Sequence, residues 1–283
     1  MGFLRAHQSF SSSHTSAPIA ATSNVHNFTT ADFPGASGSL VFDRSIATGI
    51  VLGIFVYGTG GTNSFTQKGS RYASLTVPGA NATEAVGINS TGQIVGGYLD
   101  ASNVEHGFLD TAGTFSNIDV PGATSTIAAE INNNGDVVGD FDDALGGHGF
   151  LDIAGNFTTL DFPGATFTEG LGINLSDQVV GDYSDSSGHS HGYLYVGGTY
   201  TPIDFPLASD TLAIGINDSG AISGAFTDAG GVQHGFTYAG GRFDQIDVPG
   251  ANGTLITRIK NQGQLAGAYT DALTESHGII APR

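Results

Sequence analysis

The chain has 283 residues, a formal net charge of −18 from 26 acidic and 8 basic residues, 44 glycines and no cysteine. An acidic surface of this kind repels phosphate backbones and anionic lipid heads, which sets aside nucleic acid and membrane surfaces as partners. The missing cysteine excludes a disulfide framework and a thiolate metal site. Abundant glycine without a collagen period implies many turns and many short strands, so the fold class is all-β.

In chain order, residues 1–27 come first. They are rich in Ser, Ala and His and lack the apolar segment of a signal peptide. They are expected to be a flexible tail ahead of a single folded unit over 28–283. No later apolar run is long enough to span a bilayer.

From there a repeat governs the sequence. The phrase Asp-(Phe/Val)-Pro-Gly-Ala and its variants place prolines at Pro34, Pro78, Pro121, Pro163, Pro206 and Pro249, a period of about 43 residues. Gly-Ile-Asn recurs at Gly87, Gly172 and Gly215, with Glu130-Ile131-Asn132 as a variant. His-Gly-(Phe/Tyr) begins at His106, His148, His191 and His234, and His277-Gly278-Ile279 ends the series.

Each unit reads as four strands. In the unit from Ala80 they are predicted at about 83–89, 93–99, 106–110 and 114–120, with Gly92 supplying the positive φ of the first turn and Pro121 stopping the last strand. Four antiparallel strands at this period match a propeller blade. The ends are complementary: residues 28–33 form a fourth strand without the first three, and the chain finishes on a third strand at His277–Ile280. Pairing these fragments closes a ring of six blades and leaves no exposed edge. The fold predicted is therefore a six-bladed β-propeller, expected to be a monomer.

The Gly-Ile-Asn, Val-Gly-x-Tyr and His-Gly-Phe-Leu phrases resemble the bacterial extracellular HAF repeat, with Gly in place of the Ala of its His-Ala-Phe triplet. The resemblance covers about residues 28–280. It implies an extracellular, secreted setting and carries no catalytic residue with it.

Two groups of side chains are candidates for chemistry. One is a repeated pair of Asp and His flanking the loop between the second and third strands: Asp100 and His106, Asp143 and His148, Asp185 and His191, Asp228 and His234, Asp271 and His277. The first blade has Tyr57 and Asn63 there, so both members are lost together, as expected of a direct hydrogen bond in which the carboxylate fixes the imidazole tautomer. Five equivalent copies favour a hairpin clamp over five metal or proton-transfer sites. The Asp before each proline (Asp32, Asp119, Asp161, Asp204 and Asp247, with Thr76 as the exception) is expected to accept backbone N–H bonds in the turn that follows.

The second group breaks the repeat. Asp43, Arg44, Glu84, Glu130, Glu169, Arg258 and Lys260 fall on innermost strands and are expected to border the central channel, either contacting a ligand at its mouth or pairing with one another. No Gly-x-Ser-x-Gly elbow, phosphate loop or His-Glu-x-x-His is present. The nearest cofactor signal is calcium: residues 132–136 and 182–185 look like calcium loops but lack the full ligand spacing. The expected function is a binding or scaffold module that presents its channel mouth to a glycan, small molecule or protein. The alternative is a hydrolase or lyase using channel carboxylates and a divalent cation.

Overall fold

A computed structural model describes residues 28–36, 38–45, 47–57 and 61–281; the expected tail lies outside them. After the short strand β1 (Thr29–Thr30), the first blade holds β2 (Gly38–Arg44), β3 (Ile50–Tyr57), β4 (Gly61–Lys68) and β5 (Arg71–Leu75). The second has β6 (Ala82–Ile88), β7 (Ile94–Leu99), β8 (Glu105–Thr111) and β9 (Thr114–Ile118); the third has β10 (Ser125–Ile131), β11 (Val137–Asp142), β12 (Gly147–Ile153) and β13 (Asn156–Leu160). The fourth comprises β14 (Phe167–Ile173), β15 (Val179–Ser184), β16 (Ser190–Val196) and β17 (Thr199–Ile203), and the fifth β18 (Asp210–Ile216), β19 (Ile222–Thr227), β20 (Gln233–Ala239) and β21 (Arg242–Ile246). The sixth is β22 (Gly253–Ile259), β23 (Leu265–Thr270) and β24 (Ser276–Ala281), completed by β1. All ladders are antiparallel, and among the described residues no helix is long and apolar enough to cross a membrane.

Closure follows the predicted pairing. Thr29 and Thr30 face Ile280 and Ile279, and the Ala31 N–H continues the ladder to the Gly278 carbonyl at 2.9 Å. The ladder is shorter than the predicted 28–33 because the Asp32 carboxylate, not a backbone carbonyl, takes the Gly278 N–H at 3.0 Å.

Why these phrases make blades is visible in their contacts. The aromatic residue of each His-Gly-(Phe/Tyr) phrase (Phe108, Phe150, Tyr193, Phe236) is fully buried in the layers between adjacent sheets. Each innermost strand also carries a bulge, between Ala85 and Gly87 in β6 and at matching places in β2, β10, β14, β18 and β22. A bulge re-aims the residue it leaves unpaired. Five of these residues, Phe42, Val86, Ala129, Leu171 and Ile214, belong to one buried cluster that draws on all six blades, and the sixth is Thr257. A cluster shared by all six blades surrounds the ring axis and lines the channel at that level with aliphatic and aromatic side chains.

Candidate functional site: the channel mouth and the blade clamps

The repeated histidines each sit between two carboxylates. Nδ1 of His106, His148, His191, His234 and His277 lies 3.2, 2.7, 3.1, 3.1 and 3.0 Å from Asp119, Asp161, Asp204, Asp247 and Asp32. Nε2 is 3.3–3.7 Å from the loop residues Asp100, Asp143, Asp185, Asp228 and Asp271. All of these loop carboxylates but Asp143, which uses Oδ1 for both, spend their other oxygen on loop N–H groups, as when Asp228 Oδ1 accepts from Gly230 and Val232 at 2.8 and 2.9 Å. The Asp before each proline therefore does not cap the turn as expected: its carboxylate reaches back to the ring and is the group that fixes the tautomer.

The turn is held instead by a residue that sequence reasoning passed over. The hydroxyls of Thr83, Thr126, Thr168, Thr211, Thr254 and Ser39 accept the N–H of the residue before each proline, at 2.9–3.2 Å. The signal was available, because a Thr or Ser stands five positions after every repeat proline. Each ring also stacks on an aromatic of the neighbouring strand, for example His234 on Phe226 at 5.1 Å. The hairpin contacts leave no ring nitrogen facing open solvent without a carboxylate beside it. The Tyr57 and Asn63 side chains fall outside the described part of the first blade.

Where the innermost strands end, a bowl of about 340 Å³ opens on the axis, with walls from all six blades. Its rim carries a ladder that runs from the second blade to the sixth. Asn89 Nδ2 donates to the Asn132 carbonyl, Asn132 to Asn174, Asn174 to Asn217 and Asn217 to Lys260, at 3.1–3.3 Å. Each Asn Oδ1 also accepts two N–H groups of its own turn, as Asn174 does from Ser176 and Gln178. One residue outward, Asn133, Asp218 and Asn261 accept N–H groups from the preceding blade.

Inside the bowl the repeat breaks. Three blades have glycine at the position after the bulge, where innermost strands press together: a Cβ on Gly172 would lie 2.6 Å from the Ile214 carbonyl oxygen. The other three place Asp43, Glu130 and Arg258 there. Glu130 and Arg258 belong to opposite blades, and their ion pair spans the channel, with Arg258 Nη2 donating to the Ala129 carbonyl at 3.0 Å. Burial drives the Glu130 carboxyl up to about 7 against the downward pull of Arg258 and Lys260. Lys260, standing in the Asn column, reaches from the sixth blade to the first, where its Nζ meets Asp43 Oδ1 at 2.5 Å. Thr257 ties the same two blades, its hydroxyl lying within hydrogen-bond reach of the Val41 and Phe42 carbonyls at 3.0 and 2.9 Å. Arg44 also lines the bowl, and its buried Nε has no hydrogen-bond partner among the described residues.

Of the seven residues expected at the mouth, Arg44, Glu130, Arg258 and Lys260 line the bowl and Asp43 lies fully buried behind Lys260. Glu84 and Glu169 do not. They stand three positions earlier on their strands, which the bulge reduces to two ladder steps or roughly 7 Å along the channel, and both are buried. Burial, reinforced by Glu105, pushes the Glu84 carboxyl up to about 8. Beside Glu169, burial pushes Asp182 to about 6. The two calcium-like stretches are also apart: residues 132–136 form the turn that Asn132 closes through Asn134, Asp136 and its own amide, whereas Asp182 is buried and Asp185 sits in an outer loop.

No family model and no curated protein matches the chain, so the HAF resemblance rests on its phrases. Solved structures are similar in fold. AofleA from Arthrobotrys oligospora matches with a TM-score of 0.56 and 13% identity over 87% of this chain and 83% of that one. The Aleuria aurantia lectin, solved with Fucα1-6GlcNAc, matches with a TM-score of 0.52 and 10% identity over 87% of this chain and 95% of that one. TolB from Acinetobacter baumannii gives 0.54 and 11% identity over 88% of this chain and 65% of that one. At such identities the likeness is one of architecture: an all-β propeller of six four-stranded blades.

Proposed function

We propose that the chain is a carbohydrate-binding propeller whose ligand, a neutral saccharide, seats in the channel-mouth bowl. The observation that carries this reading is Arg44, a residue of the bowl wall whose buried Nε–H has no hydrogen-bond partner among the described residues. A buried donor left unpaired costs free energy that a ligand hydroxyl or water recovers. The charges deeper in the bowl cancel in pairs, so what faces a ligand is a set of hydrogen-bonding groups around a nearly neutral floor, which suits a polyol better than an ion. Asn133, Asp218 and Asn261 extend that polar rim. The Aleuria aurantia lectin of similar fold adds support in kind, since it was solved with a fucosylated disaccharide. The setting proposed is extracellular, in line with the composition and the repeat phrases.

A hydrolase or lyase at the same place draws less support. Acid–base chemistry wants a carboxylate free to exchange a proton with substrate, and both channel carboxylates near the bowl, Asp43 and Glu130, are engaged by Lys260 and Arg258. A glycan array followed by calorimetric titration of the best binders tests the proposal. Binding should weaken at least tenfold in Arg44→Ala with the fold intact. An empty array, or binding that Arg44→Ala leaves unchanged, overturns it.

A further inference from the structure

One clamp differs from the other four. Two positions before the histidine, the second and fifth blades carry Val104 and Val232, and the fourth carries His189, whose ring turns away to Asp210 at 3.4 Å. The sixth blade carries Glu275. Asp271, Glu275 and His277 each bring one ligand atom to a common point, all within 4.8 Å of one another.

The spacing and the chemistry of this trio fit a metal ion. His277 Nε2 is 3.5 Å from Asp271 Oδ2. Two ligands held about 2.1 Å from a tetrahedral ion stand about 3.4 Å apart. On its other side the ring gives Nδ1 to Asp32 Oδ2 at 3.0 Å. An acceptor there places the proton on Nδ1 and leaves the Nε2 lone pair aimed at the two carboxylates. That carboxylate–imidazole pairing is the arrangement that orients a metal-bound histidine and raises its basicity. Glu275 is exposed, so the remaining coordination positions open to water.

We propose that Asp271, Glu275 and His277 form a binding site for one divalent ion of the zinc type, on the blade that closes the ring. One imidazole and two carboxylates suit a borderline metal, while calcium takes six to eight oxygens and gains nothing from the nitrogen. The site has a structural consequence. Asp32 lies in the N-terminal segment that completes the blade, so an ion on Nε2 polarises the ring and strengthens the Nδ1–H bond to Asp32, fastening that segment to β24. The inference is independent of the saccharide reading, because the trio lies in an outer loop and takes no part in the bowl.

The test is calorimetric titration of the full chain with zinc chloride, and thermal melts with zinc and with EDTA, on wild type, Glu275→Val and Glu275→Gln. Valine is what two sister blades carry at this position, and the glutamine variant keeps the shape should the valine one fail to fold. Wild type should bind one zinc ion at least tenfold more tightly than either variant, and zinc should raise its Tm by several degrees more. Absence of zinc binding overturns the proposal, as does equal binding by all three proteins, which would place the ion on other groups such as His7, His14 and His26. A Glu275-dependent response to calcium stronger than to zinc overturns the assignment of the metal class.

Discussion

The outer clamps and the axis of the ring are built on opposite principles. Each clamp joins the loop, third strand and fourth-strand end of one blade, and nearly the same residues do so five times over. At the axis the residues differ from blade to blade, and their bonds join blades far apart in sequence: Glu130 to Arg258 across the channel, Lys260 to Asp43 and Thr257 to Val41 across the seam. Periodic side chains thus make the blades, and the exceptions decide how the blades meet. A ring of identical glycine positions would pack equally well with any blade beside any other. One pair across the channel and one across the seam make a single arrangement better than its alternatives.

The largest expected effect comes from breaking the axial pair. Arg258→Ala leaves the Glu130 carboxylate buried without its partner, which should cost about 3–5 kcal/mol in urea unfolding. The double change Glu130→Gly with Arg258→Gly restores the sister-blade residue at both places. Its cost should fall short of the sum of the single changes by about 1–3 kcal/mol. If the double variant loses the full sum, the two residues do not act as a unit and the contrast drawn between axis and clamps fails.

Further along the channel the second and fourth blades replace an axial aliphatic by Glu84 and Glu169, where the first and sixth have Leu40 and Leu255. Glu84 Oε1 has no partner among the described residues, and the group is raised from 4.5 to about 8. A raised acid favours the folded state below pH 4.5, and that advantage drains away as pH climbs toward 8. Glu84→Gln should therefore stabilise the protein by an amount that grows from near zero at pH 4 to on the order of 3 kcal/mol at pH 8. Chemical denaturation at the two pH values reads this directly. A variant no more stable than wild type at pH 8 would show that Glu84 is charged and paired there.

The division between the two regions also explains what could be read in advance. Blade number, strand order and the complementary ends are properties of a repeat, and a repeat is visible in one sequence because each copy is a control for the others. The candidates at the mouth were found the same way, as failures of the pattern, and most of them do meet at the bowl. What could not be read was pairing across the ring. Nothing in the spacing of Glu130 and Arg258 says they face each other until the blades are counted round a circle. Glu84 and Glu169 share the face of the bowl residues but stand two ladder steps away along the channel, and depth along the axis leaves no mark in a single sequence. The clamp was half legible. Its loop carboxylate lies near the histidine in sequence, whereas the closer carboxylate comes 13 residues later in four blades and 245 residues earlier in the sixth.

Between the two regions lies the Asn ladder, periodic in sequence yet bonding from blade to blade. Asn174→Ala removes the amide bond to the Asn217 carbonyl and the two N–H bonds that its Oδ1 accepts. With the bonds to its turn lost as well, a loss of about 2 kcal/mol is expected. Asn217→Ala should cost a similar amount, because the ladder repeats; a cost confined to one of them would show that the rim is not equivalent round the ring.

The smallest effect belongs to a single clamp, and its sign depends on pH. Hydrogen bonding to Asp247 holds the His234 imidazole above its usual range, and its loop partner Asp228, bonded to Val232 and Gly230, is held below the usual carboxylate range. The histidine's contribution is complete below its ordinary value near 6.5 and is lost as pH rises through the higher folded value. The aspartate's contribution is present above its ordinary value and is lost as pH falls through the lower folded one. One clamp therefore stabilises most between about pH 4 and 6.5. Asp247→Asn removes the carboxylate nearest the ring while keeping the shape. With the site partly exposed and screened, the loss should be about 0.5 kcal/mol at pH 5.5 and close to zero at pH 8. Because Glu84 also weakens the protein as pH rises, the informative quantity is the difference between variant and wild type at each pH, in which the axial term cancels. A difference that stays constant from pH 5 to 8 would mean that the ring is neutral throughout, and that the clamp holds its blade by hydrogen bonds alone.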